Sequence, residues 1–424
     1  PNALPNIIAG AIGDFQVAYS GGGLDDKFLS NSANFVDEFN SSDTFLTRTA
    51  TDQRDQLPAQ SGNTTDAAFR SLHRARRALD AAADAVESVV SATDTRLPEL
   101  RALEGYTYIA LADGFCSGIP FGSVDAATGQ RTEGPPIPTL AVYDSAIARF
   151  DQALAVNPNF NLAKIGKGRA LLAKGSFAAA GAAVMGVPTT FVYFIEHSDN
   201  TNREQNPIFN LNISNRRYTV SNVEGVNGLN YRSANDPRVP WRDQGRGGFL
   251  ASVRLFENRL YDTFESEVPI ADGVEARLIA AEAQLNAGDV AGWLATLNAL
   301  RADVLNLMSV RYADYLGPGN KLDVSDVTAT SLAPLADPGN LNARIDLTFR
   351  ERAFWLFNTG RRFGDLRRLA RITAPGYARA TSSILPVGTY HKGGTYGNDV
   401  AWPIPFDEEN NPNFDPSGCN VDQP

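Results

Sequence analysis

With 424 residues, a formal net charge of −10 and a pI near 5.0, the chain lacks the basic balance of a general nucleic-acid binder. Its two cysteines and three histidines show no zinc-type spacing, which excludes a multi-site metalloprotein, and no metal or cofactor is expected. A hydrophobic share of 43% suits a buried core, and no apolar run is long enough for a transmembrane helix.

The chain opens at "PNALPN" without a methionine. It reads as a processed or trimmed chain, with any signal peptide or lipid-attachment cysteine upstream. "ALPNIIAGAIGDFQVAYSGGG" carries apolar residues at helical spacing and stops at a glycine run. A polar, loop-like stretch follows. "DAAFRSLHRARRALDAAADAVESVV" then predicts a strong helix with Asp66 as N-cap. Its core face is Phe69, Leu72, Ala75, Leu79, Ala82, Ala83 and Val86, with Arg70, Arg74 and Arg77 on a solvated face. "RLPELRALEGYTYIALADGFC" is the next helix, closed by Gly114. A Gly/Pro-rich excursion separates it from the clearest internal repeat.

In "YDSAIARFDQALAVNPNF", Ala146, Phe150, Ala153 and Pro158 match the second helix of a tetratricopeptide (TPR) unit. In the following "NLAKIGKGRALLAKGSFAAAGAAV", Gly168, Gly175, Phe177 and Ala180 fit the same template. Small residues let helices approach, and aromatics fill the gap between them. A looser third unit places Ala281, Gly288 and Leu297 likewise, with Trp293 where a small residue is usual. The fold expected is mainly α with minor β: a TPR-like helical-pair scaffold in a single domain over 1–424. Helical units are placed within about 66–188 and 273–371, and long loop-rich insertions at about 189–268 and 311–340. Runs such as "RRYTVSN" in the first insertion read as strands or irregular loops.

Between Arg350 and Arg371 the chain packs seven arginines, two acids and four large aromatics. Such a knot either grips an anion or serves as architecture. Its apolar stripes favour architecture, with the arginines on helix-end carbonyls and neighbouring acids. Asp365 is expected to meet Arg361 or Arg362 along the helix, and Glu351 to lie near Asp346 and Arg350. Glu351, Arg352, Arg361, Arg362 and Asp365 are the structural candidates. Trp355 is expected in the core, and Trp402 in structural packing. Cys116 and Cys419 either pair in an oxidising compartment or stay independent. Pairing is favoured, because Cys419 sits in a polar tail that would otherwise hang free.

Taken in order, "NALPNIIAGAIGDF", "RALEGYTYIALADGFCSGIPFG", "ARLIAAEAQLNAGD", "FRERAFWLFNTGRRFGDLRR" and "WPIPFDEENNPN" resemble the SusD/RagB family of outer-membrane nutrient-binding lipoproteins. The resemblance spans nearly the whole chain. It implies helix pairs carrying loop-rich insertions, and a cell-surface position through an N-terminal lipid anchor. It also implies a TonB-dependent transporter of the SusC type as partner, an oligosaccharide or peptide ligand, and no catalysis. It transfers no ligand residues, because those of the family lie on variable loops.

Sugar binding needs flat aromatics for stacking and Asn, Asp or Arg for hydroxyl groups. Two loops supply that mixture. "FLTRTATDQRDQ" offers Phe45 and Arg48, beside Asp52 and Arg54. "NYRSANDPRVPWRDQGRGGF" offers Tyr231, Trp241 and Arg242, beside Arg232, Asp236 and Asp243. The candidate binding residues are therefore Trp241, Tyr231, Arg242, Phe45 and Arg48. Acid pairs such as Asp25–Asp26 and Glu408–Glu409 arise by chance among 48 acids and define no glycosidase dyad. Asn40, Asn63 and Asn212 stand in N-x-S/T sequons. The competing function is a TPR-type interaction protein, self-associating and without a small ligand.

Overall fold

The computed structural model describes residues 3–56, 64–124, 128–312 and 331–424. Asn63 and residues 313–330 of the second expected insertion lie outside them. The α-helices of seven residues or more among the described residues are, in chain order, α1 (Leu4–Tyr19), α2 (Phe28–Phe35), α3 (Leu46–Gln53), α4 (Thr64–Val89), α5 (Leu97–Gly114), α6 (Thr139–Val156), α7 (Asn161–Ala173), α8 (Phe177–Ala183), α9 (Gly273–Asn286), α10 (Val290–Ala302), α11 (Val304–Arg311), α12 (Leu341–Trp355) and α13 (Arg362–Arg371). Antiparallel two-stranded ribbons fill the breaks: β1 (Phe39–Ser41) with β7 (Tyr218–Val220), β2 (Ile119–Pro120) with β5 (Pro136–Ile137), β3 (Ser123–Val124) with β4 (Arg131–Thr132), β6 (Val192–Ile195) with β10 (Val268–Asp272), and β8 (Trp241–Gly247) with β9 (Arg254–Asn258).

All seven residues of the apolar stripe on α4 are buried. The helix begins at Thr64, so Asp66 sits in its first turn rather than capping it. Helix α5 is buried on every side, which explains its weak amphipathic pattern. The TPR-like packing turns on Phe150 of α6. A Cβ added at Gly105 of α5 would stand 2.7 Å from the Phe150 ring, and one at Gly166 of α7 only 2.3 Å away. The two glycines make the slot that the phenyl ring fills. Gly175, at φ +75°, ends α7 and turns the chain into α8. Trp293 of α10 is buried, and its indole N–H donates to Thr348 Oγ1 at 2.9 Å.

One contiguous hydrophobic cluster runs from Leu4 to Ile404. Trp402 lies at its centre, ringed by Phe28, Phe35, Phe115 and Phe363 at centroid distances of 5.0–6.2 Å. Cys116, itself part of that cluster, is disulfide-bonded to Cys419, with the Cα atoms 5.1 Å apart.

The arginine-rich segment is buried, and its partners differ from those the local spacing suggests. Asp365 accepts from Arg352 (2.8 and 3.0 Å) and from Arg368 (2.9 Å), not from Arg361 or Arg362. Arg362 reaches across the molecule to grip Asp37 through two bonds of 2.9 and 3.1 Å. Arg361 donates to the carbonyls of Pro269, Ile270 and Thr359, and lies 3.3 Å from Glu275. Glu275 is also held bidentately by Arg169, at 2.7 Å for both bonds. Glu351 pairs with Arg238 and Arg301 from other elements, each at 2.7 Å, rather than lying among its helix neighbours. Arg367 places one nitrogen on the carbonyls of Ala112, Asp113 and Phe115, closing the C-terminus of α5. A planar guanidinium suits these sites because it presents several donors in a fixed fork.

Glu38 is buried in the same region. Its Oε1 accepts from the Asn358 N–H at 2.9 Å, and Oε2 has no partner. Burial raises its pKa to about 8; Asp37 adds to the rise, while the Asn358 N–H, Arg362 and Arg361 oppose it. The folded state therefore holds this proton more tightly than the unfolded state, whose value is near 4.5. The Glu38 contribution to stability must then fall as pH rises from about 4.5 towards 8. Glu38→Gln is expected to flatten the melting temperature between pH 5 and 8 and to raise it by a few degrees at pH 8. Thermal melts across that range check this; parallel wild-type and variant curves would refute it.

Candidate functional site

The first insertion is ordered by pairing with the N-terminal segment. Strand β7 aligns on β1, with Phe39 opposite Val220 and Ser41 opposite Tyr218. Thr219 Oγ1 ties β7 to β9 by accepting from the Phe256 N–H at 2.7 Å. Asn212 joins them from behind. Its amide donates to the Tyr218 carbonyl, and its Oδ1 accepts from the Asn258 N–H, so this sequon residue is engaged in the interior.

A cleft of about 460 Å³ opens over these strands. Asn40, Thr219, Arg232 and Phe256 form part of its wall, and Glu224 and His391 complete another. The Arg232 guanidinium lies over the Phe256 ring, 3.4 Å from the centroid. Its Nε donates to the Val220 carbonyl at 3.1 Å, which fixes the stack. The rim residue Val223 has φ +55°, a left-handed conformation costly for a β-branched side chain, and its N–H donates to the Leu229 carbonyl at 2.9 Å. Glu224 is buried, and the Tyr396 hydroxyl donates to its Oε1. Burial pushes its pKa well up, with Asp52 and Asp37 adding to the rise.

The candidates from sequence distribute around this cleft rather than within it. Tyr231 is fully buried, its ring 4.9 Å from Phe357 and 5.3 Å from Phe354, so it cannot stack on a ligand. Trp241 is half-buried behind Arg232: its indole N–H donates to the Arg232 carbonyl at 3.0 Å, and its edge meets Phe256 at 5.6 Å. It supports the Arg232–Phe256 stack and does not line the cleft. Arg242 is tied to the buried Glu257 at 2.6 Å. Arg48 is largely enclosed, with Asp26 and Asp43 both at 2.6 Å. Asp43 is pushed up by burial, but hydrogen bonds from Arg48 and the Phe45 N–H outweigh this and hold its pKa below the usual range.

Phe45 is different. It is 57% exposed, with Arg48 5.7 Å from its ring. Phe249, on the loop that also carries the cleft residues Ser252 and Val253, is 44% exposed. Arg217 lies over the Phe249 ring and bonds to Asp43 at 2.9 Å. Asp43 thus holds two arginines, each beside an exposed aromatic.

Sequence reading missed Phe256, Glu224 and His391. Only Arg232 and Asp52, named as loop neighbours, pointed towards them.

No protein-family model matches the chain, and no curated protein matches it. Solved structures do match, over nearly the full length. One is a putative sugar-binding protein from Bacteroides vulgatus, 14% identical, with a TM-score of 0.62 over 98% of this chain and 97% of that one. The chain has the SusD/RagB fold. NanU of B. fragilis shares this SusD-like fold at 14% identity and a TM-score of 0.59, over 98% and 96% of the two chains. A SusD-like carbohydrate-binding protein from B. vulgatus is 15% identical, with a TM-score of 0.58 over 87% and 83%. In this SusD-like chain the helix pairs carry the insertions, and the cleft is built by the first insertion together with Asn40 of β1 and the segment around His391. Among the described residues, no helix is long and apolar enough to cross a membrane.

Proposed function

We propose that the chain is a nutrient-binding protein of the outer cell surface. It captures an oligosaccharide in the cleft over β7 and β9 and passes it to a TonB-dependent transporter of the SusC type. The supporting observation is the cleft wall: amide, hydroxyl and guanidinium groups surround one flat stack, Arg232 on Phe256. Sugar rings pack their C–H faces on such surfaces and direct hydroxyls to the surrounding polar groups. Phe45 and Phe249 would extend the contact along the neighbouring surface. The full-length likeness to proteins described as sugar- or carbohydrate-binding supports the same reading. An upstream lipid anchor would hold the protein at the membrane. Binding without turnover is part of the proposal.

A glycan array followed by calorimetry tests it. The expected result is saturable binding of an oligosaccharide, with no new reducing ends. Arg232→Ala should weaken that binding at least tenfold, roughly the effect of removing one hydrogen-bonded stacking group. Phe45→Ala should weaken it less. Failure of every glycan beside clear binding of peptides would overturn the sugar reading. Hydrolysis abolished by one carboxylate substitution would overturn the non-catalytic one. Affinity capture from membranes should recover a β-barrel transporter.

A further inference from the structure

Three side chains far apart in the sequence converge at the cleft. Among the described residues, Asp52, Glu224 and His391 each place a ligating atom within 4.8 Å of those of the other two. Asp52 and Glu224 are buried, whereas His391 is exposed at the cleft wall.

The hydrogen bonds divide each carboxylate into a used and an open oxygen. Asp52 Oδ2 accepts from the Ser41 N–H (2.8 Å), the Tyr390 hydroxyl (2.6 Å) and His391 Nε2 (2.9 Å). Asp52 Oδ1 is buried and has no partner. Glu224 Oε1 takes the Tyr396 hydroxyl, and Glu224 Oε2 is likewise buried without one. The Asn40 side chain also bonds to the Glu224 carboxyl and counters part of the rise that burial causes. Lys392, the nearby cation, directs its Nζ to Ser41 Oγ, the Asp43 carbonyl and Thr49 Oγ1, and makes no hydrogen bond to Asp52.

A buried carboxylate oxygen without a partner is costly unless something compensates it, and Asp52 Oδ1 and Glu224 Oε2 are two such atoms in one cluster. We propose that Asp52, Glu224 and His391 form a divalent-cation site of the zinc type in the wall of the cleft. One carboxylate oxygen each of Asp52 and Glu224 and one ring nitrogen of His391 are the ligands. Tyr390 and Tyr396 orient the carboxylates from behind, as outer partners do around metal ligands. Two oxygens and one imidazole nitrogen suit zinc, which takes three protein donors and leaves a fourth position open. Calcium prefers six to eight oxygens, and this cluster does not supply them.

Calorimetric titration of the chelator-stripped protein with zinc chloride, without any sugar, tests the site. One binding event per chain is expected. His391→Ala and Glu224→Gln should each weaken it at least tenfold, while His197→Ala, at a histidine outside the cluster, should leave it unchanged. His391→Ala also removes one of three partners of Asp52 Oδ2, so the melting temperature of the stripped variant is recorded beside its affinity, and a folded variant that no longer binds zinc supports the site. Absence of stoichiometric zinc binding overturns the proposal, as does equal affinity in wild type and both cluster variants. Calcium binding as tight as zinc would overturn the zinc-type assignment. Because no sugar is present, failure here stays distinct from failure of glycan binding.

Discussion

Asp365→Ala is expected to destabilise the protein by about 3–5 kcal/mol, the usual cost of removing one partner from a buried ion pair. Asp365 holds two buried guanidinium groups, those of Arg352 and Arg368. Arg368 keeps Glu282 as a second acid, at 2.8 Å, but Arg352 loses its carboxylate. Burial pushes Asp365 up, yet Arg352 and Arg368 outweigh it and hold its pKa below the ordinary carboxylate value. Its contribution is therefore present above the unfolded pKa and is lost as pH falls through the lower folded value. Denaturant melts of the variant at pH 7 measure the loss. A change below about 1 kcal/mol would show that Arg352 finds another partner or that water enters. Arg362→Ala should act similarly by leaving Asp37 without its guanidinium.

Removal of the disulfide should rank beside it. Cys116→Ser with Cys419→Ser is expected to cost about 2–5 kcal/mol. The bridge joins residues 303 apart and anchors the tail to the chain leaving α5. Beyond the bridge, the Val421 carbonyl accepts from the Val400 and Ala401 N–H groups at 2.7 and 3.0 Å. Loss of the bridge should therefore expose this last segment first, read as early amide exchange at Val400 and Ala401. Wild type under reductant should match the double variant. If neither shows a change, the backbone pairing alone holds the tail.

Much of the scaffold was legible because its signals are local. The stripe on α4 repeats at helical period since one face meets the core throughout. Phe150 and its small neighbours carry the TPR spacing because helix approach demands it. The arginine partners were illegible for the opposite reason. Spacing rules see only residues three or four apart on one helix, whereas a buried guanidinium takes the best acid in space. Arg362 finds Asp37 across 325 residues. Tyr231 misled because its neighbours are polar, yet loop polarity does not say which way one ring turns. Asp52, Glu224 and His391 share no spacing at all; only the antiparallel pairing of β1 with β7 and the return of the chain near residue 390 unite them.

The arginine caps also set a schedule. Arg367 closes the carbonyl end of α5 from about 250 residues downstream, with Trp402 adding its N–H to the Gly114 carbonyl. Arg371 does the same for the Ala173 carbonyl at the end of α7. A chain emerging from the ribosome or a secretion channel, N-terminus first, presents α5 and α7 long before their caps exist. Those helix ends stay hydrated until the last quarter of the chain arrives, so the scaffold cannot close domain-first from its N-terminal side. Nascent chains arrested before Arg361 should remain sensitive to protease at α5, although every residue of that helix has already been made.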